Sequence, residues 1–122
     1  MLNKVMIIGR VGQAPTVRQA AGKSVASFSV ATTEVWVQDG KKNERTDWHR
    51  IVAWGQLGDV CGKYLSKGKL VYVEGRIATR KWTDKDGVEK YTTEIVAETM
   101  KMLPGGKEDR GSADAITDDI PF

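Results

Sequence analysis

From Trp48 onward, every second residue up to the end of a short apolar segment is aromatic, cationic or branched: Trp48, Arg50, Val52 and Trp54. In an extended chain, side chains two apart share a face. Two indoles and a guanidinium would therefore stand on one surface, with His49, Ile51 and Ala53 on the other. The segment Arg76 to Trp82 repeats the arrangement with Arg76, Ala78, Arg80 and Trp82, and Trp36 precedes a polar stretch carrying Lys41, Lys42 and Arg45. Nucleobases stack on Trp whatever their identity, at roughly 1 to 3 kcal/mol each, while Lys and Arg track phosphates. The pattern predicts sequence-tolerant binding of single strands, because a duplex offers no exposed base faces. A single Trp on a strand reads as readily as a core residue, since Trp is highly buried on average. Four of them, three beside Arg or Lys, favour the binding reading.

Other reactive side chains carry less. His49 faces away from Trp48 and Trp54 and has no second histidine, and acid–base catalysis needs a positioned partner. A role in packing or subunit contact is expected of it. Cys61 falls on an apolar helical row and reads as an inert buried thiol. One Cys and one His leave no Cys/His zinc site, and a single Cys excludes an intrachain disulfide framework. Asp84-x-Asp86-Gly87 resembles a calcium loop only superficially, with its glycine at the fourth position instead of the sixth; a hairpin turn accounts for it. No catalytic residue, metal or cofactor is therefore expected. A small hydrolase using His49 and nearby carboxylates is the competing reading from another class.

These residues need elements to position them. The chain reads as short strands broken by glycine turns, with one helical window: Lys4 to Val11 with a bulge or bend at Gly9, Ser24 to Thr32 with a possible extension over Thr33 to Val37, and Thr46 to Trp54. Gln38 to Arg45 reads as a loop. Leu57, Val60, Cys61, Tyr64 and Leu65 form one apolar helical face, weakened by Gly58 and Gly62 and ended by Gly68. Strands return at Leu70 to Trp82, bent at Gly75, and at Val88 to Ala97, joined by a turn at Asp84 to Gly87. Met100 and Met102 are expected to cap the core. Three extended segments, a helix and two more strands is the element order of an OB-fold, a five-stranded Greek-key barrel; an SH3-like barrel lacks that helix.

The chain has 122 residues, enough for one domain with a short appendage. It is 40% hydrophobic and 29% charged, and no apolar run approaches the roughly 20 residues of a membrane span. The start is too short in apolar residues for a signal peptide, so a cytoplasmic protein with no membrane partner is expected. Charge is uneven: residues 1 to 107 carry 18 Lys/Arg against 11 Asp/Glu, net +7, and residues 108 to 122 carry 1 against 5, net −4. The body suits a polyanion, and the acidic end suits a basic client or screens the first site. After Met102 the apolar pattern stops, and 104–117 reads as a flexible linker. The final Asp118, Asp119, Ile120, Pro121 and Phe122 place two large apolar side chains where nothing remains for them to pack into, which is the look of a docking peptide.

Asn3-Lys4-Val5 with Ile8-Gly9, Thr46-Asp47-Trp48-His49-Arg50, Lys63-Tyr64-Leu65-Ser66-Lys67-Gly68, Val71-Tyr72-Val73-Glu74-Gly75, Arg80-Lys81-Trp82-Thr83-Asp84 and Tyr91-Thr92-Thr93-Glu94 together resemble the bacterial single-stranded DNA-binding protein family, SSB. The similarity runs from residue 1 to about 103, and Asp118 to Phe122 is similar to the acidic tip of that family. The resemblance implies an OB-fold over 1–103, a homotetramer, single-stranded DNA wrapped over its surface, and a tip that docks replication and repair proteins. It also implies base stacking by Trp36, Trp48, Trp82 and Trp54, the last at a position where Phe is common. Basic positions near the DNA path are matched by Lys4, Arg18, Lys67, Arg80 and Lys81, and a subunit-contact histidine by His49. Gln56 departs from a frequent Lys. The linker departs too: only about 14 residues separate Pro104 from the tip, a root-mean-square reach of ~20 Å, where the family usually carries a long Gly/Gln/Pro-rich tail. A primosomal or RNA-binding OB-fold relative fits the barrel but not the tip.

Overall fold

The computed structural model describes residues 1–105, so the expected linker beyond Gly105 and the tip Asp118 to Phe122 lie outside the described residues. Six strands and one helix follow in the order β1 (Val5–Val11), β2 (Thr16–Ala20), β3 (Lys23–Gln38), β4 (Lys41–Trp54), α1 (Gly55–Tyr64), β5 (Leu70–Thr83) and β6 (Glu89–Met102). The strands lie side by side as β1-β5-β6-β4-β3-β2. β1 also pairs back onto β3 at Arg10↔Ala31 and Val11↔Val30, which closes five strands into a barrel and leaves β2 as a flap on β3. This is the expected OB-fold. Most pairings are antiparallel. The exception is a parallel seam between β4 and β6, carried by Ile51↔Ile95 and Val52↔Val96 alone.

Closure depends on a close approach at Gly9. β1 alternates inward at Ile7, Gly9 and Val11, and a Cβ on Gly9 would collide with the Ala31 carbonyl oxygen. The glycine therefore lets β1 pass from β5 to β3. Gly75 likewise marks a shift in the β5–β6 register between Glu74 and Gly75. Inside, Val11, Val30, Ile51, Cys61, Val71 and Val73 are fully buried, joined by Phe28, Leu65 and Ile95. No tryptophan is among them.

The helix departs from its expected face and end. Leu57, Cys61 and Leu65 meet the barrel, but Val60 and Tyr64 are exposed. A single row touches the barrel because Gly58, itself buried, brings the helix down onto β4: a Cβ there would stand 2.6 Å from the Ala53 carbonyl oxygen. The glycine read as a helix weakener is what allows the docking. The helix stops at Tyr64, with Leu65 extended and its amide bonded to the Cys61 carbonyl; Gly68 serves the following turn, where its amide donates to the Val11 carbonyl. Met100 packs on the core as expected, whereas Met102 is exposed at the far end of β6.

Two further stretches are strand, one assigned no element from the sequence and one expected as a loop. β2 has two branched residues, Thr16 and Val17, but is exposed along most of its length, so no apolar period announces it; its backbone ladder to β3, from Thr16↔Ser27 to Ala20↔Lys23, holds it. The expected loop at Gln38 to Arg45 is a two-residue turn, Asp39-Gly40, both with positive φ, joining strands paired as far as Gln38↔Lys41. Positive φ at both central residues is the turn that matches strand twist in a tight hairpin.

Candidate nucleic-acid interface

The register across the sheet brings one face together. On β4 the row Trp48, Arg50, Val52, Trp54 points out of the barrel. Opposite it on β3 stand Ala31, Ser29, Ser27 and Val25, and Arg18 on β2 is paired with Val25. Across the parallel seam the same face continues through Val96, Glu94 and Thr92 of β6, and then through Arg76, Ala78, Arg80 and Trp82 of β5. The row expected within β4 and the row expected within β5 are thus joined across β6, and with Arg18 of β2 they make one continuous surface of Trp48, Trp54, Trp82, Arg18, Arg50, Arg76 and Arg80.

At its centre is a groove of about 450 Å³, within the size range of small-ligand clefts. Its cationic lining is Arg18, Arg50 and Arg80, and Phe28, Val52 and Trp54 supply apolar surface. One carboxylate, Glu94, lines it as well and pairs with Arg80 through Nε at 3.3 Å. The Trp82 indole is fixed at one edge by donating to Thr92 Oγ1 at 2.8 Å, which leaves its ring face free. Trp48 packs beside Gly12, where a Cβ would come within 2.6 Å of the indole ring. The four indoles are 62% (Trp48), 43% (Trp54), 39% (Trp82) and 37% (Trp36) exposed, which excludes a core role for all of them.

The remaining expected residues lie elsewhere. Trp36 pairs with Asn43 and so belongs to the opposite face of the β3–β4 ribbon from Trp48. Lys81 is likewise on the reverse of β5 from Arg80 and Trp82, paired with Glu89 at 3.1 Å. Lys67 sits in the turn between α1 and β5. Lys4, just before β1, binds Glu74 at 2.8 Å, and Tyr72 donates to the same carboxylate. The hydrogen bonds from Lys4 and then Tyr72 hold the Glu74 carboxyl below its ordinary range, and the bond to Glu74 raises Lys4. His49 stands on the inward-facing row of β4, half-buried, and shares a 2.8 Å hydrogen bond with Thr32 Oγ1.

Neither Cys61 nor the Asp84 turn offers reactive chemistry. Burial pushes the Cys61 thiol up to about 11. Asp84 Oδ1 accepts from the Asp86 and Val88 amides, which is the hairpin turn expected there. Among the described residues no group of three or more His, Cys, Asp or Glu could hold a metal ion. No described helix is long and apolar enough to cross a membrane. Residue reasoning had given no role to Glu94, Ser27 or Ser29. The signal was present, since β6 alternates Ile95 and Ala97 inward and so sends Glu94 outward.

The profile of the single-strand binding protein family matches residues 2–103. The chain is 51% identical over 117 residues to the single-stranded DNA-binding protein 1 of Chlorobaculum tepidum, covering 93% of this chain and 72% of that one. It is 50% identical over 114 residues to the single-stranded DNA-binding protein of Neisseria meningitidis, covering 92% of this chain and 66% of that relative's length. Among solved structures, a Plasmodium falciparum SSB complex with ssDNA is similar with a TM-score of 0.76 and 41% identity, covering 84% of this chain and 96% of that chain.

Proposed function

Because this chain belongs to the single-strand binding protein family, we propose that it binds and coats single-stranded DNA without sequence specificity, as a non-enzymatic protein of replication, recombination and repair. The observation that carries this is the groove face, where Trp48, Trp54 and Trp82 expose their rings beside Arg18, Arg50, Arg76 and Arg80. Flat rings take bases, and guanidinium groups at the margins take phosphates. Trp36, on the other side of the ribbon, is reached by a strand that crosses the ribbon edge.

Oligothymidine should quench the tryptophan fluorescence, with affinity falling as salt rises through counterion release. A duplex of equal length should bind far more weakly. Equal affinity for the two, or no quenching, overturns the reading, and turnover of a labelled strand in magnesium would favour the hydrolase.

The protein works as a cytoplasmic, nucleoid-associated homotetramer with His49 at a subunit contact. A barrel of about 100 residues leaves sheet surface for a symmetric partner to cover. Asp118 to Phe122 recruits replication and repair proteins: Phe122 joins an aromatic ring to a carboxylate, and Asp118 and Asp119 suit a basic rim. Deleting Phe122 should abolish recruitment of a helicase or repair protein while sparing DNA affinity, and sedimentation at micromolar concentration should give a tetramer. Recruitment that survives the deletion, or a monomer, counts against the corresponding part.

A further inference from the structure

The groove that suits a polyanion contains an anion of its own. Glu94 is only 12% exposed at its side chain, yet it lines the same groove as Arg18, Arg50 and Trp54 and touches Arg80 through Nε. A contact through Nε leaves the terminal nitrogens of the guanidinium free to donate elsewhere. The carboxylate therefore holds Arg80 by its side.

We propose that Glu94 is a positioning residue that sets which way round a single strand enters the groove. This rests on the reading that the groove binds single-stranded DNA. A nucleic-acid strand offers two different chemistries to a cationic, aromatic-lined cleft: phosphates attracted by the arginines, and bases attracted by the indole. With arginines alone, the phosphates would be drawn to the floor, because charge attraction in a partly enclosed site exceeds that at the rim. A fixed carboxylate there repels phosphate and leaves the floor to the bases. Ring faces meet Trp54, and the amino or imino N–H groups of a base edge can donate to Glu94. The phosphates are left to Arg18, Arg50 and the free end of Arg80 at the margin. The groove then favours strands that carry bases over polyanions that do not.

The test compares oligothymidine with an abasic deoxyribose-phosphate strand of the same length, each labelled and titrated at the same salt with the full chain. The unaltered protein should prefer oligothymidine strongly. Glu94→Gln keeps the shape and removes the charge. It should tighten the abasic strand by about five-fold while moving oligothymidine by about two-fold or less, so that discrimination falls. Glu94→Asp should retain most of the discrimination. Should Glu94→Gln fold poorly, Ser29→Asp in the otherwise unchanged chain adds an anion to the same groove, and discrimination must then rise. Equal shifts for both strands with Glu94→Gln, or lower discrimination with Ser29→Asp, would overturn the inference while leaving single-strand binding intact. Failure of the unaltered protein to bind oligothymidine would instead overturn the functional reading, and this inference with it.

Discussion

β3 and β4 are paired without a break from Val25↔Trp54 to Gln38↔Lys41, yet the two halves of this ladder live differently. From Ala26 to Val30 and from Ile51 to Ala53 one side of the pair is barrel core. From Thr33 to Thr46 the same ladder continues with hardly a buried side chain on either face. In the barrel half, the core fixes which residues point outward, so Arg50, Val52 and Trp54 are presented as one surface. In the distal half nothing chooses a face, and each can be used: Trp48 begins one and Trp36 occupies the other. The barrel supplies position, and the ribbon supplies reach around the strand being bound.

The sharpest way to break this contrast is in the core. Ile51→Ala should lower unfolding free energy by about 2 to 5 kcal/mol in denaturant titration, whereas Val37→Ala in the ribbon should stay within about 0.5 kcal/mol. Comparable losses would mean that the ribbon is packed after all. Next, Trp54→Ala and Trp48→Ala should each weaken oligothymidine binding by roughly 1 to 3 kcal/mol without changing the unfolding midpoint by more than a few degrees. Trp36→Ala tests whether a strand crosses the ribbon edge, since a loss of similar size requires both faces to be occupied.

A third comparison is Gly58→Ala. Helix propensity alone predicts a gain of up to about 1 kcal/mol, but the 2.6 Å approach to the Ala53 carbonyl oxygen should turn this into a loss of about 1 to 3 kcal/mol. Thermal melting decides the sign.

The smallest effects are in pH. Glu74 is held low by Lys4 and Tyr72. Its contribution to stability is present above the ordinary carboxylate range and fades as pH falls through its lowered value. Lys4 is held high by Glu74, so its share is present below the ordinary lysine value and fades as pH climbs through the raised one. Glu74→Gln should flatten both limbs of a stability–pH profile. Cys61, pushed up to about 11, should resist thiol reagents near neutrality until the barrel opens, and rapid labelling of the native protein would count against its burial.

What the residues disclosed in advance divides along the same line. The β4 row was legible because period-two alternation is a direct imprint of a one-sided core, and β5 and β6 followed for the same reason. The side on which Trp36 stands was not, because it depends on register across the turn. Read as a loop from Gln38 to Arg45, the segment leaves the pairing open, whereas a turn of Asp39 and Gly40 pairs Trp36 with Asn43 and places it in the row of His49. β2 escaped because backbone pairing to β3 holds a strand with no buried row. Glu94 escaped because a carboxylate on an outward face reads as solvated until the three arginines around it are brought there by β2, β4 and β5.

The parallel seam between β4 and β6 has a mechanical meaning. It consists of Ile51↔Ile95 and Val52↔Val96 alone, so the barrel is zipped there by as few rungs as at the β1–β3 closure and by far fewer than along the β1–β5, β3–β4 and β5–β6 ladders. The groove lies across this zip, with Arg50 and Trp54 on one side and Glu94 and Arg80 on the other. A strand seated in the groove grips both sides and works as a clasp. Amide hydrogen exchange at these four residues should slow when oligothymidine is added, more than exchange in the β1–β5 ladder, so that the cargo stiffens its carrier along one of its two shortest seams.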